Sequence, residues 1–335
     1  MPPPRDRASV IADPALAGTS LCQAYSDHMG AWLAQLFDEA GSPPGVALLA
    51  VGGYGRAELS PESDIDLVLV HEPKADIAGV ADRIWYPIWD AGLKLGHSVR
   101  TIKEALVLAS DDLDTATSLL SVRCLAGDDA LATELSDKAR GLWRKRAKRW
   151  LTEMDRRVRE RHAASGEVAF LLEPDLKEGR GGLRDVHAIR WAEMAESVMF
   201  EGDDAALAAA YDVLLSVRVE LHRRTGRPGD RLLLQEQDGV AEALGFEDAN
   251  ALMQAVSSAA RSIAWRSDEV WHRIASSLTG PTSIRLKRDR TLAEGVLLRE
   301  GMVHLTAAAD PVTDPLLVLR TAVAAAASNA RIDRR

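Results

Sequence analysis

The sequence predicts an α+β protein: a small mixed sheet with helices over about residues 1–125, followed by an all-α domain over 126–335. Three observations carry that expectation. Two short apolar runs, Val46–Val51 and Ile65–Val70, read as strands set among segments of helical period. Beyond about Leu125 the apolar spacing becomes helical almost throughout. Between the two runs stands a glycine turn, Gly52-Gly-Tyr-Gly55, and the pair Asp64-Ile-Asp66 opens the second of them.

In chain order, apolar residues at Leu21, Tyr25, Met29, Trp32, Leu33 and Leu36 predict a helix from about Pro14 to Ala40, stopped by Gly41-Ser-Pro-Pro-Gly45. The strand at 46–51 follows, then the glycine turn, then the strand at 65–70, ended by His71-Glu-Pro-Lys74. Val80, Ile84, Trp85 and Ile88 mark a helix leading to a third strand near Lys94–Thr101. One long helix is expected from near Asp128 to His162, with nine basic residues between Arg144 and Arg161. Such a run is either a solvated face or an attractive rim for a triphosphate or an acidic partner loop. Further helices fit 185–199, 203–225 and 249–276; the tail is alanine-rich over 321–328, and its last five residues are expected to fray.

The chemistry lies in the turn and the aspartates. Side chains alternate along a strand, so Asp64 and Asp66 share a face with Cα atoms roughly 6.5–7 Å apart, within reach of one hard cation. Two carboxylates beside a glycine loop repel each other unless a divalent metal and a nucleoside triphosphate relieve them. A dinucleotide fingerprint does not fit, because Gly53-Tyr-Gly55-Arg-Ala-Glu58 lacks the third glycine. A P-loop does not fit either, because no Gly-Lys-Ser/Thr ending follows here or at Gly179-Arg-Gly-Gly182. The bland alternative is a hairpin with solvent-facing aspartates.

The 335 residues carry a net charge of −9, which argues against a nucleic-acid partner. Cys22 and Cys124 form no metal or redox motif, no apolar run has membrane-spanning length, and a cytoplasmic protein is expected. A second dense motif, Phe170-Leu-Leu-Glu-Pro-Asp-Leu-Lys-Glu-Gly-Arg-Gly-Gly-Leu-Arg-Asp185, crowds charges around three glycines. It reads as a salt-bridged helix entry, or as a place where the N–H groups of Gly181 and Gly182 approach an anion.

A Gly-Gly pair, ten residues, then Asp-apolar-Asp resembles the DNA polymerase β-like nucleotidyltransferase superfamily. More narrowly, Gly52–Leu67, Gly96-His-Ser-Val-Arg-Thr101, Glu173–Asp185, Arg218-Val-Glu-Leu-His222 and Arg231–Gln237 resemble, in this order, the bacterial protein-PII uridylyltransferase/uridylyl-removing enzymes. The 177–185 element is also similar to one in glutamine-synthetase adenylyltransferases. The resemblance implies transfer of UMP or AMP from UTP or ATP to a hydroxyl of a PII-type signalling protein, with pyrophosphate leaving. It implies Mg²⁺, or Mn²⁺ in its place, on Asp64 and Asp66, which are the expected catalytic residues. Gly52, Gly53, Arg56, Ser63, Lys177 and Arg184 are the expected nucleotide contacts, with Arg56 alternatively bracing the turn through Glu58. Other acceptors, such as glutamine synthetase, or a non-catalytic nucleotide- or PII-binding module, are the competing readings.

The superfamily commonly has a third carboxylate where this chain has Gly96, leaving Asp112 and Asp114 as candidates and His97 as a phosphate-orienting one. The family also continues into a phosphohydrolase domain marked by a His-Asp doublet. These 335 residues contain none, so hydrolase and ligand-sensing functions are not expected of them.

Overall fold

The computed structural model describes residues 7–279, 289–299 and 301–333. Its contacts divide it into two compact units, Met1–Ala275 and Ser276–Arg335. The expected boundary near residue 125 therefore falls inside the first unit.

The first unit opens with α1 (Arg7–Ala12) and α2 (Gly18–Glu39). All six apolar residues expected to line one face of α2 are buried there. Strand β1 (Val46–Ala50) is buried along its whole length, as a continuous apolar run in a central strand should be. The short α3 (Gly52–Gly55) follows, then β2 (Ile65–His71), α4 (Val80–Asp90) and β3 (Leu95–Arg100). Next come α5 (Ile102–Ala109), α6 (Leu113–Ser118) and an unanticipated edge strand, β4 (Arg123–Gly127). The sheet runs β3-β2-β1-β4, parallel between β2 and β3 and antiparallel elsewhere, so it is small and mixed as expected.

Local sequence explains several of the ends. Thr101 and Glu104 form a capping box at the start of α5. Asp112 caps α6 by accepting from the Thr115 N–H at 2.7 Å. The Asp128 side chain caps α7 (Asp129–Lys145). The single helix expected over 128–162 is two, because the chain turns at Arg146 (φ −107°, ψ 17°) and resumes as α8 (Ala147–Ser165). Two tertiary contacts hold the break. The Arg146 guanidinium donates to the Ser110 carbonyl at 2.6 Å, and the rings of Trp143 and Trp150 stack with centroids 6.0 Å apart.

Helices α9 (Leu183–Ala195), α10 (Asp203–Thr225), α11 (Leu234–Ala243) and α12 (Ala249–Thr279) complete the helical part. Asp203 and Asp204 begin α10 and Arg223 and Arg224 end it, each charge matched to the helix dipole. Helix α10 is tied to the first part of the chain by Thr19–Asp212 (2.7 Å) and Arg218–Ser60 (2.6 Å).

The second unit departs from the helical expectation. Strands β5 (Arg290–Ala293), β6 (Val296–Arg299), β7 (Met302–Leu305) and β8 (Arg331–Ile332) form a sheet in that order. The alanine-rich α13 (Leu316–Ser328) packs on it through Leu317 and Ala324, against Val296 and Val303. Strands of four residues are too short to display a period of two, which is why helical spacing was the only pattern visible. Arg331 and Ile332, expected to fray, pair with Met302 and Val303; residues 334–335 lie outside those described.

Candidate active site

Tyr54 anchors the glycine turn. Its ring is buried, with the Arg123 guanidinium 5.0 Å from its centroid. Gly52 has φ +60°, the left-handed conformation glycine adopts without strain, and the turn thereby lies close over Asp66. The Val51 N–H donates to the Asp66 carbonyl at 3.1 Å and fixes the turn against β2.

Asp64 is exposed and Asp66 half-buried. No hydrogen bond or ion pair engages either carboxylate among the described residues. Burial, then the Asp64 charge, raises the Asp66 pKa, and Lys177 pulls the other way. These two acidic groups, without a partner among the described residues, line a cavity of about 540 Å³.

That cavity brings together the two expected catalytic aspartates and the six expected nucleotide contacts. Gly52, Gly53, Arg56, Ser63, Asp64 and Asp66 line one wall. Lys177 and Arg184 come to it from the 170–185 motif. Among the third-ligand candidates, Asp112 is used as the α6 cap, while Asp114 lines the cavity and pairs with Arg157 at 2.9 Å. His97 does not reach it; its ring lies 5.4 Å from both Trp85 and Trp89. No cluster of three metal-binding side chains exists among the described residues.

The 170–185 motif is mostly a built helix entry. Asp185, wholly buried, receives Arg161 at 2.5 Å, His162 at 2.8 Å and the Gly181 N–H at 2.7 Å. Burial opposes its charge, yet His162 and Arg161 hold its pKa below the usual carboxylate range. The Gly182 N–H donates to the Gly179 carbonyl at 2.9 Å. Both glycine N–H groups expected to approach an anion are therefore engaged within the protein. What the motif offers the cavity is side chains: Lys177, 3.6 Å from Asp230, and Arg184, 3.0 Å from Glu178.

Two helix faces form the remaining walls. On α9, Leu183, His187 and Trp191 recur at helical spacing, and on α10 so do Tyr211, Leu215, Arg218 and His222. His187, Tyr211 and Asp230 were not recognised in the sequence; the i, i+4 recurrence is the one signal that could have found the first two. The His187 Nε2 faces Arg56 Nη2 at 3.2 Å, Tyr211 Oη at 3.0 Å and Glu58 Oε2 at 3.4 Å. Burial, then Arg56, depresses the His187 pKa to about 4, so the ring is neutral near pH 7. Burial opposes the Glu58 charge, but the hydrogen bond with His187 and the Arg56 charge bring its pKa to about 2. Arg56 pairs with Glu58 at 2.6 Å, so the alternative of a braced turn is realised in this structure.

The cavity is thus lined both by rings, those of His187, Trp191 and Tyr211, and by the cations Lys177, Arg184 and Arg218, the last held to Asp230 at 2.5 Å. Burial opposes the charge of Asp230, and His222, Arg218 and Lys177 overcome it, so this acid stays ionised as a buttress for the cations.

A small mixed sheet with paired aspartates beside a glycine turn, followed by helices that wall one cavity, defines a polymerase β-like nucleotidyltransferase core. Residues 149–271 match the family model described as GlnD PII-uridylyltransferase. The chain is 42% identical to a bifunctional uridylyltransferase/uridylyl-removing enzyme of Streptomyces coelicolor, over 98% of this chain and 41% of that protein. It is 41% identical to the protein so named in Mycobacterium tuberculosis, over 91% of this chain and 40% of the other. A Pseudomonas entomophila protein of the same name is 36% identical over 63% of this chain. The chain is similar to the PII-uridylyltransferase family over the part it spans, about two fifths of the length of the first two of these relatives. No helix among the described residues is long and apolar enough to cross a membrane.

Proposed function

We propose that this chain transfers a nucleoside monophosphate, UMP or AMP, from the nucleoside triphosphate to a hydroxyl of a PII-type regulatory protein. The observation that carries the reading is the pair Asp64 and Asp66, unpartnered among the described residues, in one cavity with Lys177, Arg184 and Arg56. The names of the relatives favour UTP as donor. The cavity volume suits one nucleotide.

The carboxylate pair fits a divalent cation. Like charges crowd together there and Asp66 has a raised pKa, so ionisation of both groups calls for a cation. Asp64 and Asp66 would hold Mg²⁺ or Mn²⁺, leaving the remaining positions to phosphate oxygens and water. When bound, the metal supplies charge neutralisation on the phosphates and a more acidic acceptor hydroxyl. The protein's own side chains do the rest. Lys177, Arg184 and Arg218 offset phosphate charge, Gly52 and Gly53 admit the phosphates close to the backbone, and Ser63 offers a hydroxyl. Trp191 and Tyr211 offer aromatic rings for the base. The acceptor oxygen bonds to the α-phosphorus, the bond from that phosphorus to the β-bridging oxygen breaks, and pyrophosphate leaves with the electron pair. The hydroxyl proton is released to solvent.

The test is transfer of labelled UTP and ATP, in parallel, to the organism's own PII protein with Mg²⁺ or Mn²⁺. Label on PII that disappears in Asp64→Asn/Asp66→Asn supports the reading, and the better donor settles the base. Absence of label with both nucleotides and both metals overturns it.

A further inference from the structure

The nine-cation run of α7 and α8 divides into two parts. Arg156, Arg157, Arg159 and Arg161 are engaged by Glu153, Glu160, Asp155, Asp114 and Asp185. The cations at the break are different. Lys145 and Lys148 are exposed, and neither ammonium has a partner among the described residues. With Arg146, Arg149 and Arg157 they line a groove of about 880 Å³, in which five cations stand beside two lining acids, Asp111 and Glu153.

Three features make this more than a solvated face. The groove is built: Arg146 and Arg149 both donate to the Ser110 carbonyl, at 2.6 and 2.9 Å, and Arg149 lies 4.7 Å from the Trp150 ring centroid. Helix α8 also starts there with no acidic residue in its first turn and no side-chain cap, so its positive dipole end adds to the cations rather than being offset. Finally, the groove adjoins the cavity. Arg157 lines the groove, Asp114 lines the cavity, and their ion pair at 2.9 Å joins the two. Val107 and Leu108, 60% and 37% exposed on α5 just before Ser110, supply an apolar shoulder.

We infer that this groove docks an acidic segment of the protein acceptor while the acceptor hydroxyl reaches the neighbouring cavity. The inference rests on the proposed function for the identity of the acceptor. Exposed cations with too few acids to offset them attract an acidic partner and fix its register. The attraction is local to the groove, since the chain as a whole carries a net charge of −9.

The experiment measures binding rather than turnover. PII protein is titrated into the wild-type chain and into Lys145→Glu/Lys148→Glu at low and high salt, by interferometry without nucleotide. The expected result is an affinity at least about tenfold lower in the variant, with a flatter salt dependence. Single variants Lys145→Gln and Lys148→Gln, which remove one charge each, should fall in between. Equal affinity in variant and wild type, salt-independent binding, or no binding of PII to the wild type overturns the inference. Failure of the proposed function shows separately, as PII that binds with this salt dependence and takes no label.

Discussion

The Asp66 carboxylate occupies the space that a side chain at position 96 would need: a Cβ there would stand 2.3 Å from Oδ1. The two residues are register partners across the parallel pair β2–β3. Where the superfamily commonly places a third carboxylate, this chain leaves room for the second one.

Gly96→Ala should therefore displace the Asp66 carboxylate rather than unfold the protein, because Gly96 is exposed and its obstacle is the end of a side chain. Nucleotide transfer should fall by about a hundredfold, the usual effect of an ångström-scale misplacement. The melting temperature should stay near that of the wild type. Initial rates and thermal melts on the same preparation check both halves.

Asp66→Asn separates catalytic from stabilising roles. An acid whose folded pKa is raised contributes stability below its unfolded pKa and loses it as pH rises through the folded value. Asparagine removes that loss, so the variant should melt at or above the wild-type temperature at pH 7 while losing transfer. Mg²⁺ should raise the wild-type melting temperature and leave that of Asp64→Asn/Asp66→Asn unchanged. A melt with and without Mg²⁺ at pH 5 and pH 7 reads all of this.

His187 sets an acid-side stability limit. As pH falls from about 6.5, the unfolded chain takes up a proton that folded His187 refuses until about 4, so stability falls across that window. Glu58 extends the loss from 4.5 towards about 2. His187→Gln, which removes the titration but keeps a polar group facing Arg56 and Tyr211, should flatten the urea midpoint between pH 6.5 and 4. A midpoint that still falls as steeply there would assign the loss to other groups.

Asp185→Ala leaves Arg161 and His162 without their shared acceptor and the Gly181 N–H without its partner. Losing one side of a buried ion pair costs about 3–5 kcal/mol, and urea unfolding should show a loss of that size. Arg184→Ala, whose partner Glu178 is half-exposed, should lower stability far less and mainly raise the KM for nucleotide.

Much of the catalytic wall was legible because its signals are local. Gly52, Gly53, Asp64 and Asp66 lie within fifteen residues, and strand alternation alone puts both carboxylates on one face. The helix positions at Leu21 through Leu36 were equally plain, since burial there follows a single period. The break at Arg146 was not legible. No residue from Lys145 to Ala147 disfavours a helix, and the Ser110 carbonyl that Arg146 meets there is distant in sequence. Lys177 and Arg184 could be placed near the aspartates only through resemblance, and the partners of His187 come from two other segments, the turn at 56–58 and α10. The second sheet was hidden because strands of four residues, bounded by turns such as the one at Gly295 (φ +77°), carry too few side chains to announce a period.

The buried reach of Arg218 to Ser60, with Thr19 bonded to Asp212, has a meaning for heredity. The aspartates and the cations that face them are encoded more than a hundred residues apart, yet neither side closes the cavity alone. A recombination event between them would yield two intact-looking genes and no working pocket. The long stretch from the glycine turn to Asp230 is therefore a single heritable unit as far as the pocket is concerned.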